Sequence, residues 1–346
     1  MNGQDVKHKV CLVGSGGVGT IASVVLEKSG RAQVTTVLRT RYAHVKERGW
    51  DIKSVDHGTL QSWRPSRVVR TVQEAAMTAA GGKEAYDFVV ISTKQLPDKW
   101  SLADLITPLI TPSRTAIVLI QNGLDIELPL IAAFPANSIM SAVSMIGSAT
   151  TGPNQVTQIG ADVLTIGPHI HDCGGRSRDD QLAKAREFVD MYNAGLRDVT
   201  TEACCMFTDD MPTARWHKLL WNSTFNTLCA LMRMNVGELQ ASRGRETLSI
   251  PMMWEVLRIA KAAGHTLEES EIHRLAYRLP NDCEYRPSML LDLECNRPME
   301  IEVILGNPLA RADELGVDAP NMKTVYELLK LERWRMDRDQ KDQKDL

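Results

Sequence analysis

The stretch KVCLVGSGGVGTIASVVLEK, Lys9–Lys28, decides the fold of the N-terminal half. Lys9 to Val13 is a short apolar run that breaks at Gly14, and a helical pattern runs from Val18 to about Lys28. Between them Gly14-Ser15-Gly16-Gly17-Val18-Gly19 matches GxGxxG. Glycine clusters alone make ordinary turns; one that follows a buried strand and opens a helix marks a dinucleotide-binding turn. Gly14 permits the tight turn, Gly16 lets the backbone approach a pyrophosphate, and Gly19 lets the helix pack closely on the strand. Ser15, Gly17 and Val18 complete the cofactor-binding segment, where the helix N-terminus offers unpaired N–H groups and partial positive charge to phosphates.

Outward from this stretch, further strand candidates are Val34 to Leu38, Tyr86 to Ser92, Thr115 to Ile120, Ser138 to Ser144, and Val163 to Ile166. Continuous apolar strands separated by helices indicate a parallel sheet covered on both faces. The expected fold class is therefore α/β, a Rossmann-type parallel sheet over 1–205. From about Thr208 long helical patterns take over: Ala214 to Met234, Ser249 to Ala263, a segment from near Arg286 to about Leu315, and Met322 to Leu331 after Pro320. These predict an all-helical domain over 206–335, and a length of 346 residues fits two cores better than one. The charged end, 336–346, reads as a frayed helix or a solvated tail.

Forty basic and 43 acidic residues nearly cancel, for a formal charge of -3, so no general attraction to nucleic acid or an anionic membrane follows. The opening MNGQDVKHKV has no apolar stretch of the secretory kind, and no run approaches the ~18 apolar residues of a spanning helix. The expectation is a cytoplasmic protein. The seven cysteines are scattered without a CxxC pair, which fits free thiols rather than a disulfide frame or a metal site. The adjacent Cys204 and Cys205 leave a redox pair as a minor alternative, and the sequence HIHD (His169–Asp172) reads as a loop.

The second strand is followed by Arg39-Thr40-Arg41 and carries no carboxylate to accept a ribose 2′-hydroxyl. An arginine there pairs with a 2′-phosphate, so Arg39 favours NADPH over NADH; the alternative is a solvated loop arginine. Two segments sit at strand C-terminal ends, where open α/β sheets place ligands: Ser92-Thr93-Lys94 and Gln121-Asn122-Gly123. Asn122 reads equally as a ligand to cofactor or substrate and as a plain Asn-Gly turn.

In ARWHKLLWNSTFNTLCALMRM (Ala214–Met234), Lys218, Asn222 and Asn226 are spaced by four and fall on one face of an α-helix. A lysine and two amides on an otherwise apolar helix are costly if buried without partners, and unremarked if they face water; both readings stand at this stage. Further along, Ser288, Asp292 and Glu300 lie among apolar residues, and a carboxylate there is suited to orienting a hydroxyl or tuning a lysine.

Taken in order, GSGGVG, LRTR, STK, IQNG, WHKLLWNSTFN, SMLLD and MEIE resemble the ketopantoate reductases (2-dehydropantoate 2-reductases), over most of the chain. The resemblance implies that Lys218 is the catalytic general acid and that Glu300 orients the substrate's hydroxyl. It implies that Asn122, Asn222, Asn226 and Ser288 hold the substrate, and that Arg39 and Lys94 meet the adenosine phosphate end of NADPH. Asp292 matches a position of structural role. The chain departs from the family pattern at Met299, at Leu305-Gly306 and near Tyr285 to Pro287. The implied reaction is reduction of the ketone of a small 2-oxo acid, 2-dehydropantoate to pantoate, by hydride transfer and protonation from Lys218, with no metal; His217 points about a quarter-turn away on a helix and ranks below it. The implied partners are the 2-oxo acid or ketone substrate and, by resemblance alone, a second copy in a homodimer. Two other readings remain open: a related oxidoreductase of a different ketone or imine, and a non-catalytic NADPH-binding sensor.

Overall fold

The computed structural model describes residues 7–344, with side chains as far as 339. The chain divides into two compact units: one holds residues up to Lys94, Ser101–Gln121 and Glu127–Met211, the other Gln95–Trp100, Asn122–Ile126 and the chain from Pro212 on. The boundary falls after Met211 rather than after 205, because a last strand runs through Cys204–Phe207.

The first unit contains β1 (His8–Val13), β2 (Ala32–Val37), β3 (Trp50–Ser54), β4 (Gly58–Trp63), β5 (Arg67–Val69), β6 (Phe88–Ile91), β7 (Ala116–Leu119), β8 (Ile139–Ser144), β9 (Ser148–Thr150), β10 (Gln155–Gln158), β11 (Val163–Pro168) and β12 (Cys204–Phe207). Eight of them form one sheet in the order β12-β11-β8-β7-β6-β1-β2-β5. From β8 to β5 all pairings are parallel, with Val10 opposite Val34 on one side and Phe88 on the other. The sheet is mixed rather than wholly parallel: β11 runs antiparallel to β8. Parallel neighbours need a long crossover, usually a helix, and the chain between Ser144 and Val163 supplies only β9 and β10, so the returning strand comes back reversed.

Those two strands belong to a second sheet, β4-β3-β10-β9, which the sequence did not signal. Its strands are short and β4 has no buried residue, so little alternation marks them; Trp50, Ile52 and Val156 nevertheless join the core formed by Val10, Leu12, Val90 and Val118. In β12, neighbouring Cys204 and Cys205 project to opposite faces, as successive strand residues must, which removes the redox-pair alternative. Burial holds the Cys205 thiol well above its ordinary range.

The second unit is helical. The expected long helix from Ala214 is three pieces, Met211–Trp221, a π-helical turn Asn222–Asn226, and Thr227–Met232. Two more π-turns, Arg245–Ser249 and Glu302–Gly306, lead into Ile250–Ala262 and Asn307–Leu315. The pattern from Arg286 to Leu315 is likewise interrupted. Ser288–Glu294 ends before Asn296, which takes φ +52°, and Pro298 follows; proline removes a donor and excludes the preceding residue from helix. Asp292 holds this corner, accepting from Arg297 Nε at 3.2 Å.

The last helix, Pro320–Lys344, takes in residues 336–344 of the expected tail, and 345–346 lie outside the described residues. Its first turn is capped by buried Glu255, which accepts from Asn321 N (3.0 Å), Asn321 Nδ2 (2.7 Å) and Met322 N (2.8 Å). Further on, Arg333 pairs with Asp98, and Lys99 with Asp337 at 3.4 Å, so the helix persists where composition alone reads as solvated. Among the described residues no helix is long and apolar enough to cross a membrane.

Candidate functional site

The glycine turn follows β1, the strand on whose two sides the sheet continues in opposite directions, to β2 and to β6. In open α/β sheets ligands bind at such a switch point, outside the strands' C-terminal ends. Gly14 takes φ +100°, and a Cβ on it would lie 2.6 Å from Thr93 N. A Cβ on Gly19 would meet Gly14 O at 2.1 Å, and the Ser92 hydroxyl donates to that same carbonyl. A Cβ on Gly17 would strike Ser148 of β9 at 2.5 Å. Gly16 is different: it is exposed and a Cβ there would meet nothing within 4 Å.

Gly16 is also the N-cap of Gly17–Lys28 and no side chain caps that helix, so its first N–H groups lack an internal acceptor. Three hydroxyls of this first unit, Ser15 Oγ, Thr20 Oγ1 and Ser148 Oγ, are buried without a hydrogen-bond partner among the described residues. Open space at one glycine, uncapped amides and orphaned hydroxyls suit a pyrophosphate. Val18 is half-buried on the first helical turn.

Arg39 is exposed just past the end of β2 and makes no ion pair among the described residues. Arg41, two residues on, donates through Nη2 to Thr150 Oγ1 of β9 at 3.1 Å, a tether that only the small sheet provides. Lys94 is half-buried after β6, and Gln121 Nε2 bonds Thr93 O at 2.7 Å.

The remaining candidates all belong to the helical unit. Asn222 and Asn226 are 5% and 3% exposed, which excludes a water-facing stripe for both amides. The π-turn that carries them has a local cause. Ser223 Oγ and Thr224 Oγ1 bond the carbonyls of Leu219 and Leu220, each at 2.6 Å, competing with the backbone N–H groups that an α-helix would send there. A π-turn widens the helix by a residue and is frequent at functional sites, so a spacing of four no longer measures one α-turn.

Asn226 Oδ1 accepts from Met289 N at 2.9 Å and from Ser288 Oγ at 3.5 Å, fixing the start of Ser288–Glu294 and the exposed Ser288 hydroxyl. Asn222 Nδ2 is buried and has no hydrogen-bond partner among the described residues. Lys218, half-buried one turn earlier, has its pKa lowered to about 8, first by burial and then by the positive charge of Arg278. Arg278 itself has no carboxylate partner among the described residues. His217 instead pairs with Glu271, whose carboxyl is pulled down to about 2 by Arg274, offset in part by burial, and then by His217.

Glu300 is 7% exposed and sits where Pro298 has broken the helix, its Oε1 accepting from Gln95 N at 2.8 Å. Asn122 is held beside this region by its neighbours. Arg215 Nη1 donates to Gly123 O at 2.8 Å, Leu124 N donates to Val303 O at 2.8 Å, and Asn307 Nδ2 donates to Leu124 O at 2.7 Å. Gly123, at φ +107°, packs where a Cβ would lie 2.5 Å from Val303. Arg215, Asn307 and the π-turn at Val303 carry no motif, so sequence reading passed them over. Of the departures from the family pattern, Met299 and Leu305 are fully buried core residues, while Tyr285 and Arg286 are exposed.

Residues 10–170 match the sequence profile described as ketopantoate reductase PanE/ApbA, and residues 210–333 match that of its C-terminal domain. An uncharacterized protein of Saccharomyces cerevisiae is 32% identical, over 93% of each chain. A 2-dehydropantoate 2-reductase of Nostoc is 27% identical over 94% of this chain and 95% of its own. The crystal structure of 2-dehydropantoate 2-reductase from Methylococcus capsulatus superposes with a TM-score of 0.76 at 30% identity, covering 95% of this chain and 97% of that one. With its Rossmann-type first unit and helical second unit, the chain belongs to the ketopantoate reductase family of NADP-dependent oxidoreductases.

Proposed function

We propose that the chain reduces the ketone of a small 2-oxo acid with NADPH, converting 2-dehydropantoate to pantoate, and that Lys218 supplies the proton. The observation that carries this reading is a lysine whose pKa is brought down to about 8, one helical turn from a buried amide donor with no partner. A general acid works best when its pKa lies near the working pH.

The residues around the turn fit the cofactor: the backbone at Gly14, Ser15, Gly16, Gly17, Val18 and Gly19 holds the pyrophosphate, and Arg39 and Lys94 meet the adenosine phosphate end. NADPH, when bound, supplies the hydride. As the carbonyl oxygen gains charge, the Lys218 ammonium stabilises it and then delivers its proton there. Asn222 Nδ2 donates to the substrate, which satisfies an otherwise costly buried group. Asn226 acts through Ser288, holding that hydroxyl toward the substrate carboxylate, and Asn122 completes the polar set. Glu300, held in place by Gln95 N, orients the substrate hydroxyl. Lys218 and Arg278 are like charges, and an anionic substrate relieves their repulsion where a neutral ketone does not.

The test is an absorbance assay of NADPH consumption across a panel of 2-oxo acids, each with and without an added amine. Consumption with 2-dehydropantoate alone supports the reading. Consumption that requires the amine makes the chain an imine reductase, and tight NADPH binding without turnover on any carbonyl makes it a sensor.

A further inference from the structure

The connection Tyr277–Pro287, between the helices Ser270–Ala276 and Ser288–Glu294, contains the departure from the family pattern near Tyr285. It has no regular structure, yet it is held at several points. Val236 N donates to Tyr285 O at 2.9 Å and Gly237 N to Cys283 O at 3.0 Å. A Cβ on Gly237 would lie 2.4 Å from that same Cys283 O. Gln240 Nε2 donates to Pro280 O at 3.1 Å. Buried Arg245 donates through Nη1 to Asn281 Oδ1 at 2.9 Å and lays its guanidinium 4.0 Å from the centre of the Tyr277 ring. A connection clamped in this way presents its remaining side chains as a rigid element does.

Arg278 lies between the Tyr277 and Pro280 clamps, and its own N–H donates to Leu275 O at 3.3 Å. Its side chain enters none of these contacts; it is exposed and has no carboxylate partner among the described residues. The helix that delivers it is docked on the lysine-bearing helix: Glu271 pairs with His217, and Arg274 Nη2 lies 3.5 Å from His217 Nε2. Lys218 is the next residue after His217, and the Arg278 charge reaches it, adding to burial in lowering its pKa. Burial raises the pKa of Tyr285, and the same Arg278 charge opposes it. Tyr285 in turn stands three residues before Ser288, whose hydroxyl is 3.5 Å from Asn226 Oδ1.

Two neighbouring cations without a shared anion repel each other. Beside them Asn222 Nδ2 is buried with no hydrogen-bond partner among the described residues, a donor that calls for a ligand rich in acceptors. An anion with several acceptor oxygens meets both needs. The arginine fork matches a carboxylate, taking it through two parallel N–H···O bonds, which an ammonium cannot do.

We propose that Arg278 is the carboxylate receptor of the site, a specificity-determining residue that pairs with the carboxylate of the 2-oxo acid while Lys218 serves the ketone. This rests on the reading of the chain as a 2-oxo acid reductase, and it names the group that selects an acid over a neutral ketone.

Isothermal titration calorimetry of the full chain with NADP+ bound, using pantoate and its primary amide as probes, tests this. The wild type is expected to bind pantoate roughly 10- to 100-fold more tightly than the amide, the scale of a hydrogen bond to a charged group. Arg278→Gln, at an exposed position, keeps the thermal midpoint, lowers pantoate affinity by that factor and leaves the amide unchanged. Arg278→Lys keeps the charge without the fork and falls between the two. Equal losses for acid and amide, or a pantoate affinity unchanged in Arg278→Gln, overturn the inference and leave the reductase reading standing. A preference for the acid that disappears in Arg278→Gln, in a chain that oxidises no NADPH, keeps the inference and removes the reading. A wild type that binds neither compound overturns both.

Discussion

The glycine turn and the π-turn at Asn222–Asn226 are both sites of unusual backbone, and they differ in where their geometry comes from. At Gly14, Gly16 and Gly19 each residue's need is local: a positive φ, an open approach, a carbonyl too close for any Cβ. At Asn222–Asn226 local hydroxyls loosen the helix, but what the Asn226 amide does is decided by Met289, sixty-three residues away. The first kind of geometry is written in residue types. The second depends on which distant segment arrives.

The sharpest way to separate the two is to remove the group proposed to supply the proton. Lys218→Met is expected to lower turnover by about 10²-fold or more while NADPH affinity is kept. A parallel loss of stability, read from the thermal midpoint, would make the lysine structural. Next in size are two substitutions within the glycine turn, which should part company. Gly16→Ala has room for its Cβ, so it should fold normally and weaken NADPH binding by about tenfold or more, read by fluorescence titration. Gly19→Ala, with its Cβ 2.1 Å from Gly14 O, should lose stability along with binding.

Asn226→Ala examines the other region. It strands the buried Met289 N–H, at a cost of about 1–3 kcal/mol in a denaturant titration. If stability is untouched, the amide serves substrate alone.

The smallest expected effect is on pH dependence. Lys218 must be protonated to donate, so kcat/KM should be level below about 8 and fall above it. The folded pKa lies below the ordinary value of 10.5, so the unfolded chain binds the extra proton between the two values. Stability from this group therefore rises with pH through that window, while activity falls. A profile with no inflection near 8 would break the link between burial of this lysine and its role.

Residue types and their order determined much of this protein. A buried strand, a glycine turn and a helix can satisfy one another within twenty residues, so Lys9–Lys28 specified its geometry, and Arg39 without a nearby acid carried the cofactor preference. The run of motifs carried the family. Tertiary structure alone decided the small sheet, whose strands are too short and exposed to show a period, and the reversal of β11, which depends on a missing crossover. It also decided that residues 336–344 of the charged end are helix: they continue a helix that Glu255, Asp98 and Arg233 hold from elsewhere in the chain, and Lys99 pairs with Asp337 within them. Burial of Asn222, the lowered pKa of Lys218 and the clamp on Asn122 belong to the same class. Each is set by how much water and which charges surround a group, and those are properties of packed neighbours that no spacing of residues records.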